Sequence, residues 1–268
     1  MSYELIKVEK NDHLTIDHLT IVTINRPEVM NAISPPTSVE MDRAFNEFDE
    51  DPDAWVCIIT GTGDRAFSAG NDLKYQARYG GETVAKESEE SKGGFGGNTS
   101  RFDCFKPFIA AVNGLALGGG FEIALACDII IAAENAQFGL PEPRVGLMPA
   151  AGGVHRLPRQ IPYHLAMGMI MTSKRLTARE ALQYGIVNEV VPLEDLISTA
   201  EKWATEIMKG APLSIRASKE AALKGLGMPL EDAIPNLFPG MAAMYGSEDY
   251  IEGPKAFTEK RPPQWKGR

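Results

Sequence analysis

Two glutamates stand where the surrounding sequence makes a merely solvated carboxylate unexpected. Glu122 follows Gly118-Gly119-Gly120-Phe121 and precedes Ile123, Ala124 and Leu125. A carboxylate in that company is either paired or chemically employed. The plainer alternative is a helix-start glutamate favoured by the helix dipole. Three glycines entering a helix expose N–H groups where the dipole adds positive potential, a setting that serves a developing oxyanion. Glu142 lies twenty residues further on, between Pro141 and Pro143. The prolines stiffen its backbone, although a surface-loop carboxylate is an equal reading. Two further small-residue stretches, Phe67-Ser68-Ala69-Gly70-Asn71-Asp72-Leu73 and 146–153, can bring backbone N–H groups close to a ligand. Ordinary connecting turns remain the alternative for both. Paired carboxylates with backbone donors fit acid–base chemistry beside a carbonyl, one carboxyl ionised and the other protonated. The dinucleotide spacing G-x-G-x-x-G is absent.

These groups need elements to position them. Tyr3–Lys10 and Leu19–Asn25 read as strands, the second apolar on both faces. Ser34-Pro35 opens a helix with Met41, Phe45 and Phe48 on one face. Trp55–Thr60, Phe108–Asn113 and Asp128–Ala133 read as strands, and Gly119–Cys127 as a helix between the last two. The alternation predicts an α/β fold with parallel pairing. Residues 76–100, polar and then glycine-rich, read as a mobile loop with one short helix. The last third reads as helical. Thr177 and Glu180 form a capping box; Leu196, Ala200, Trp203 and Ile207 form a stripe; helical stretches follow Pro212 and Pro229.

Composition narrows the function classes. The 268 residues carry a net charge of −9 and give a pI of about 5.1, which argues against nucleic-acid binding. Cys57, Cys104 and Cys127 are odd in number and two lie in apolar runs, so a reducing compartment, the cytoplasm, is expected. The four histidines are scattered, and no metal site is expected. Residues 108–133 are long enough to span a bilayer. Glu122, Asp128 and the glycine run within them favour buried core over a membrane segment. The N-terminal ten residues have neither a signal-peptide core nor Arg-rich transit character.

The order of several motifs resembles the crotonase (enoyl-CoA hydratase/isomerase) family over nearly the full length. They are Asn25-Arg26-Pro27 with Asn31-Ala32, then 67–73, Ala110–Gly114, Gly118–Glu122 and Ala136–Glu142. The tail, Ser247-Glu248-Asp249 through Glu252-Gly253 and 256–261, completes the set. The resemblance implies a crotonase-like α/β spiral of ββα units over 1–200. A C-terminal helical trimerisation region over 201–268 would build a homotrimer or a homohexamer, a dimer of trimers. It implies an acyl-CoA thioester as substrate, with no separate cofactor because coenzyme A is part of that substrate. The thioester oxygen would lie between the N–H groups of Asn71 and Gly119. Glu122 would orient and activate water, and Glu142 would exchange a proton with the α carbon. Arg65, Ala69, Gly70, Asp72, Leu73 and Lys74, with Phe257 and Lys260 from the tail, would contact coenzyme A and substrate. Read from the residues alone, Arg65 and Lys74 are equally well solvated surface charges. Asn71 stands where many such hydratases carry a smaller residue, and its amide would narrow the acyl pocket.

The implied activity is enoyl-CoA hydratase, the reversible syn addition of water to a 2-enoyl-CoA. Gly93-Gly94-Phe95-Gly96-Gly97, together with Trp265–Arg268, is similar to the carnitinyl-CoA dehydratases within the family. An isomerase, dehalogenase or C–C bond-cleaving enzyme using the same oxyanion site is the runner-up. Many isomerases and dehalogenases lack one of the glutamates. A non-catalytic acyl-CoA-binding protein would have no need of either.

Overall fold

Apolar residues on both faces of consecutive short strands call for a sheet covered on both sides, as parallel sheets are. The computed structural model, which describes residues 3–10, 14 and 16–268, has that arrangement. A six-stranded sheet contains β1 (Ile6–Lys10), β2 (Leu19–Ile24), β3 (Val56–Gly61), β5 (Phe108–Val112), β7 (Ile129–Ala133) and β10 (Glu189–Val191). They lie side by side in that order; β1 and β2 are antiparallel and every other pair is parallel. Alternate residues serve opposite faces. Val22, Cys57, Ile59, Ala110 and Val112 pack towards Met41, Phe45 and Phe48 of α1 (Pro35–Glu50). Ile21, Ile58, Ile109 and Ile131 pack towards Leu196, Ala200 and Ala204 of α8 (Leu196–Met208).

A second, smaller sheet was not foreseen. Its strands are β4 (Ala66–Ser68), β6 (Leu115–Leu117), β8 (Gln137–Gly139) and β9 (Leu176–Thr177). Strands of two or three residues are too short to show a period of two. The first three are parallel neighbours, and β9 closes the edge antiparallel to β8. Parallel strands end on the same side of their sheet. The segments leaving β4, β6 and β8 therefore emerge together, roughly one strand spacing of ~5 Å apart. Those segments hold Asn71, Gly119 with Glu122, and Glu142 respectively. The short helix α4 (Gly119–Leu125) leaves β6 directly and is buried throughout.

The reading of residues 76–100 as a mobile loop is corrected. They contain most of α2 (Leu73–Tyr79), all of α3 (Gly81–Ser88) and a pinned turn. The carboxylate of buried Asp42, on α1, accepts the N–H groups of Lys92 and Gly93 at 3.2 and 2.9 Å and pairs with Arg101. Ser38 Oγ accepts the Gly96 N–H at 3.0 Å. These partners lie about fifty residues upstream, beyond the reach of local pattern.

In the last third, α5 (Gly153–Gln160) and α6 (Tyr163–Thr172) precede α7 (Ala178–Gln183), whose Thr177–Glu180 capping box is formed on both sides. Beyond α8 the chain forms α9 (Pro212–Gly225), α10 (Leu230–Ala233), α11 (Pro239–Tyr245) and α12 (Glu248–Glu259). The three cysteines are buried free thiols. Among the described residues no helix is long and apolar enough to cross a membrane; residues 108–133 are core strands and α4. Because the Asp42 and Arg101 side chains are each only 7% exposed, removing one leaves an uncompensated charge. Asp42→Ala is expected to lower unfolding free energy by about 3–5 kcal/mol, read from urea unfolding curves.

Candidate active site

Glu122 sits one turn into α4, 2% exposed. Its Oε1 accepts the Gly153 N–H at 2.7 Å. Burial raises its pKa from 4.5 to about 7. The amides of Gly153 and Ala151 and the guanidinium of Arg156 oppose the rise, and the nearby Glu142 charge adds to it. Arg156 donates to the carbonyls of Thr99 and Ala151 at 2.8 and 3.4 Å, so it also braces the loop that holds Glu122.

Glu142 opens a 3-10 turn three residues after β8. Its carboxylate packs over Gly118, where a Cβ would fall 2.8 Å from Oε1. Burial raises its pKa too, and its Oε2 has no hydrogen-bond partner among the described residues. Glu142 is close enough to influence the ionisation of Glu122. The structure thus brings the two predicted carboxyl groups together.

The predicted backbone donors also meet. Gly70 has φ +87°, and a Cβ there would lie 2.6 Å from the Leu117 carbonyl and 2.9 Å from the Gly119 nitrogen. Only glycine permits that approach. Asn71 is held by a parallel bridge to Ile33, in which Ile33 N–H donates to Gly70 and Asp72 N–H donates to Ile33. Neither the Asn71 nor the Gly119 N–H has an acceptor among the described residues. The Asn71 side chain donates to Gln76 Oε1 at 2.6 Å, which draws its amide towards α2.

The remaining predicted contacts are dispersed. Ala69 is half-buried and hydrogen-bonded to Met30. Asp72 caps α2 through the Tyr75 N–H at 3.0 Å and pairs with Arg26 at 2.8 Å. These interactions lower its pKa against the opposing effect of burial, and its carboxylate is therefore already engaged. Leu73, Lys74 and Arg65 are exposed beside this segment. Phe257 is 84% exposed on α12 and Lys260 follows that helix; no hydrogen bond joins either to the glutamates. Two neighbours of the site were not named as site residues from the sequence, although both lie in stretches that drew notice. One is the Gly153 amide that holds Glu122, within the small residues 146–153. The other is Phe95, whose ring lies against Gly119 so closely that a Cβ there would overlap it.

The sequence profile of the enoyl-CoA hydratase/isomerase family matches residues 16–268. The chain belongs to that family. A carnitinyl-CoA dehydratase of Salmonella paratyphi A is 47% identical over 251 residues, covering 92% of this chain and 94% of the relative. The crystal structure of an enoyl-CoA hydratase from Bacillus anthracis superposes with a TM-score of 0.91 at 35% identity, covering 99% and 100% of the two chains. That of a carnitinyl-CoA hydratase from Mycobacterium avium gives 0.76 at 40% identity, covering both chains fully. The fold is the crotonase fold.

The raised pKa of Glu122 has a consequence for stability. A carboxyl group that holds its proton more tightly when folded favours the folded state at low pH. That advantage shrinks as pH rises from 4.5 to about 7 and becomes a constant loss above. At about 1.4 kcal/mol per pH unit, the loss is about 3 kcal/mol. Glu122→Gln is therefore expected to be more stable than the parent at pH 8 by a few kcal/mol. The gap should close towards pH 4.5, as followed by denaturant titration across pH.

Proposed function

We propose that this chain is an enoyl-CoA hydro-lyase in which Glu122 and Glu142 share the acid–base work. The observation that carries this reading is the interacting pair of carboxyl groups, Glu122 buried and Glu142 half-buried, beside two backbone N–H groups without acceptors among the described residues. The thioester oxygen accepts from the Asn71 and Gly119 N–H groups. As charge gathers on it, those fixed donors favour the enolate-like transition state over the substrate. In hydration, Glu122 takes a proton from water as the water oxygen bonds to the β carbon. Glu142, protonated, delivers its proton to the α carbon. The pair ends with one proton, as it began, now on Glu122, and dehydration runs the same steps backwards. Unequal burial and unequal hydrogen bonding let one carboxyl be ionised while the other is protonated.

Retention of both carboxylates favours hydratase over isomerase chemistry. A finer reading of the acyl group has its own support. The relatives at 47% identity are named carnitinyl-CoA dehydratases, whereas the Bacillus anthracis hydratase is 35% identical. We infer that the acyl group carries a hydroxyl on its β carbon and a trimethylammonium on its γ carbon, as in carnitinyl-CoA.

Coenzyme A is the natural partner of exposed Arg65 and Lys74 next to the donor segment. The helical end supports a homo-oligomer, trimer or hexamer. Leu226, Leu230, Ile234 and Leu237 are 83, 74, 75 and 74% exposed in one chain, apolar surface that a subunit contact would cover.

Glu122→Gln and Glu142→Gln should each lower turnover at least ~100-fold, the scale of a lost acid–base group. Mass spectrometry of crotonyl-CoA and carnitinyl-CoA reactions should show gain or loss of one water in the parent; parent-like rates in both variants would overturn the assignment. Charge placed at two of the exposed leucines, as in Leu226→Glu with Leu230→Glu, should reduce the assembled mass by light scattering.

A further inference from the structure

The turn at 93–97 is an unusual device for placing one side chain. Its four glycines flank Phe95, and Gly94, Gly96 and Gly97 have φ of 80°, 61° and 72°, a region other residues seldom enter. The turn is fixed from both directions. Gly93 and Gly96 donate to Asp42 and Ser38 of α1, and Thr99 Oγ1 donates to the Phe95 carbonyl at 3.0 Å. Gly96 packs directly on Ile123 of α4. The result is a half-buried ring held against Gly119. A Cβ at that glycine would overlap Phe95 Cε1 and lie 2.6 Å from Cζ. One side of the ring packs against the main core while the residue as a whole stays half-buried, unlike the fully buried Phe121 and Phe138.

The position of the ring matters because of what Gly119 does in the reading above, on which this inference rests. If the thioester oxygen is bonded to the Gly119 N–H, the γ carbon of the acyl group follows within three bonds of the carbonyl carbon. A substituent there is roughly 5 Å from the oxygen, from bond lengths alone. A quaternary ammonium within ~6 Å of an aromatic centroid is attracted to its face, and it cannot be held by hydrogen bonds because it has no N–H. The Glu122–Glu142 pair, sharing one proton, contributes one negative charge beside the acyl group. Arg156 is the opposing charge, and its guanidinium is engaged with the Thr99 and Ala151 carbonyls.

We propose that Phe95 is a specificity-determining residue that holds a quaternary ammonium on the γ carbon of the acyl group by cation–π contact. Enoyl and 3-hydroxyacyl thioesters bearing that group are then preferred over neutral ones of the same shape.

The test compares kcat/KM for the γ-trimethylammonio enoyl-CoA with that for its neutral analogue, in which carbon replaces nitrogen to give a tert-butyl group. Crotonyl-CoA serves as a third substrate. The parent should prefer the cation. In Phe95→Leu the cation-to-neutral ratio should fall about tenfold, whatever the absolute rates, and Phe95→Trp should retain it. An unchanged ratio in Phe95→Leu, or an equal loss in the leucine and tryptophan variants, overturns the proposal. A parent that hydrates none of the three thioesters overturns the hydratase reading and this inference with it. A parent that hydrates them without preferring the cation overturns the inference alone.

Discussion

A carboxyl group withdrawn from water must be neutralised, hydrogen-bonded or both, and Glu122 is held between those solutions. Burial drives it towards protonation; the Gly153 amide and the Arg156 guanidinium pull it back towards the anion. The outcome, a group pushed up to about 7, suits the proposed exchange of a proton with water. Much of the neighbouring architecture follows from this balance. The apolar helix α4 supplies the low dielectric. The 151–153 loop supplies the opposing dipoles, and Arg156 ties that loop to the Thr99 carbonyl so that the dipoles stay aimed.

The second constraint is that separate stretches of chain must arrive at one place without clashing. Three parallel strands, β4, β6 and β8, solve it by ending side by side. Each then contributes one component, and the crevice beyond strand ends is where open α/β sheets commonly place their ligands. The large sheet takes no direct part. It provides a rigid, doubly covered base in which β3 and β5 pair in parallel beside the points where the chain turns towards β4 and β6. The close approach of Gly70 to the Gly119 amide shows how tightly the strand ends are gathered.

Much of this was legible in the sequence. Glu122 stood out through its apolar neighbours, while Glu142 read equally well as a surface-loop carboxylate. The Met41-Phe45-Phe48 stripe is buried, and of the stripe Leu196, Ala200, Trp203 and Ile207 the first two are buried and the last two half-buried against the core. The capping box at Thr177 formed as written. The order of motifs, rather than any one of them, pointed to the family. What stayed hidden depends on pairings distant in sequence. The short strands β4, β6, β8 and β9 have no periodicity to read. The turn at 93–97 looked loose because glycine and serine usually mean looseness. Its order comes from Asp42 and Ser38, side chains on a helix that gave no sign of facing it. The Gly153 amide was invisible for a simpler reason: a backbone N–H has no letter of its own.

The polar anchors of that turn, Asp42 and Ser38, lie on α1, whereas the glutamates and the backbone donors hang from β4, β6 and β8; the two meet where Gly96 packs on Ile123. On the proposed reading, the part that would meet the acyl group and the part that would move protons therefore rest largely on different foundations. Insertions or exchanges within 76–100 can reshape the reception of new thioesters while the proton-handling groups keep their seats. A scaffold divided in this way offers evolution, and protein engineers, a dial for substrate range that is separate from the one for chemistry.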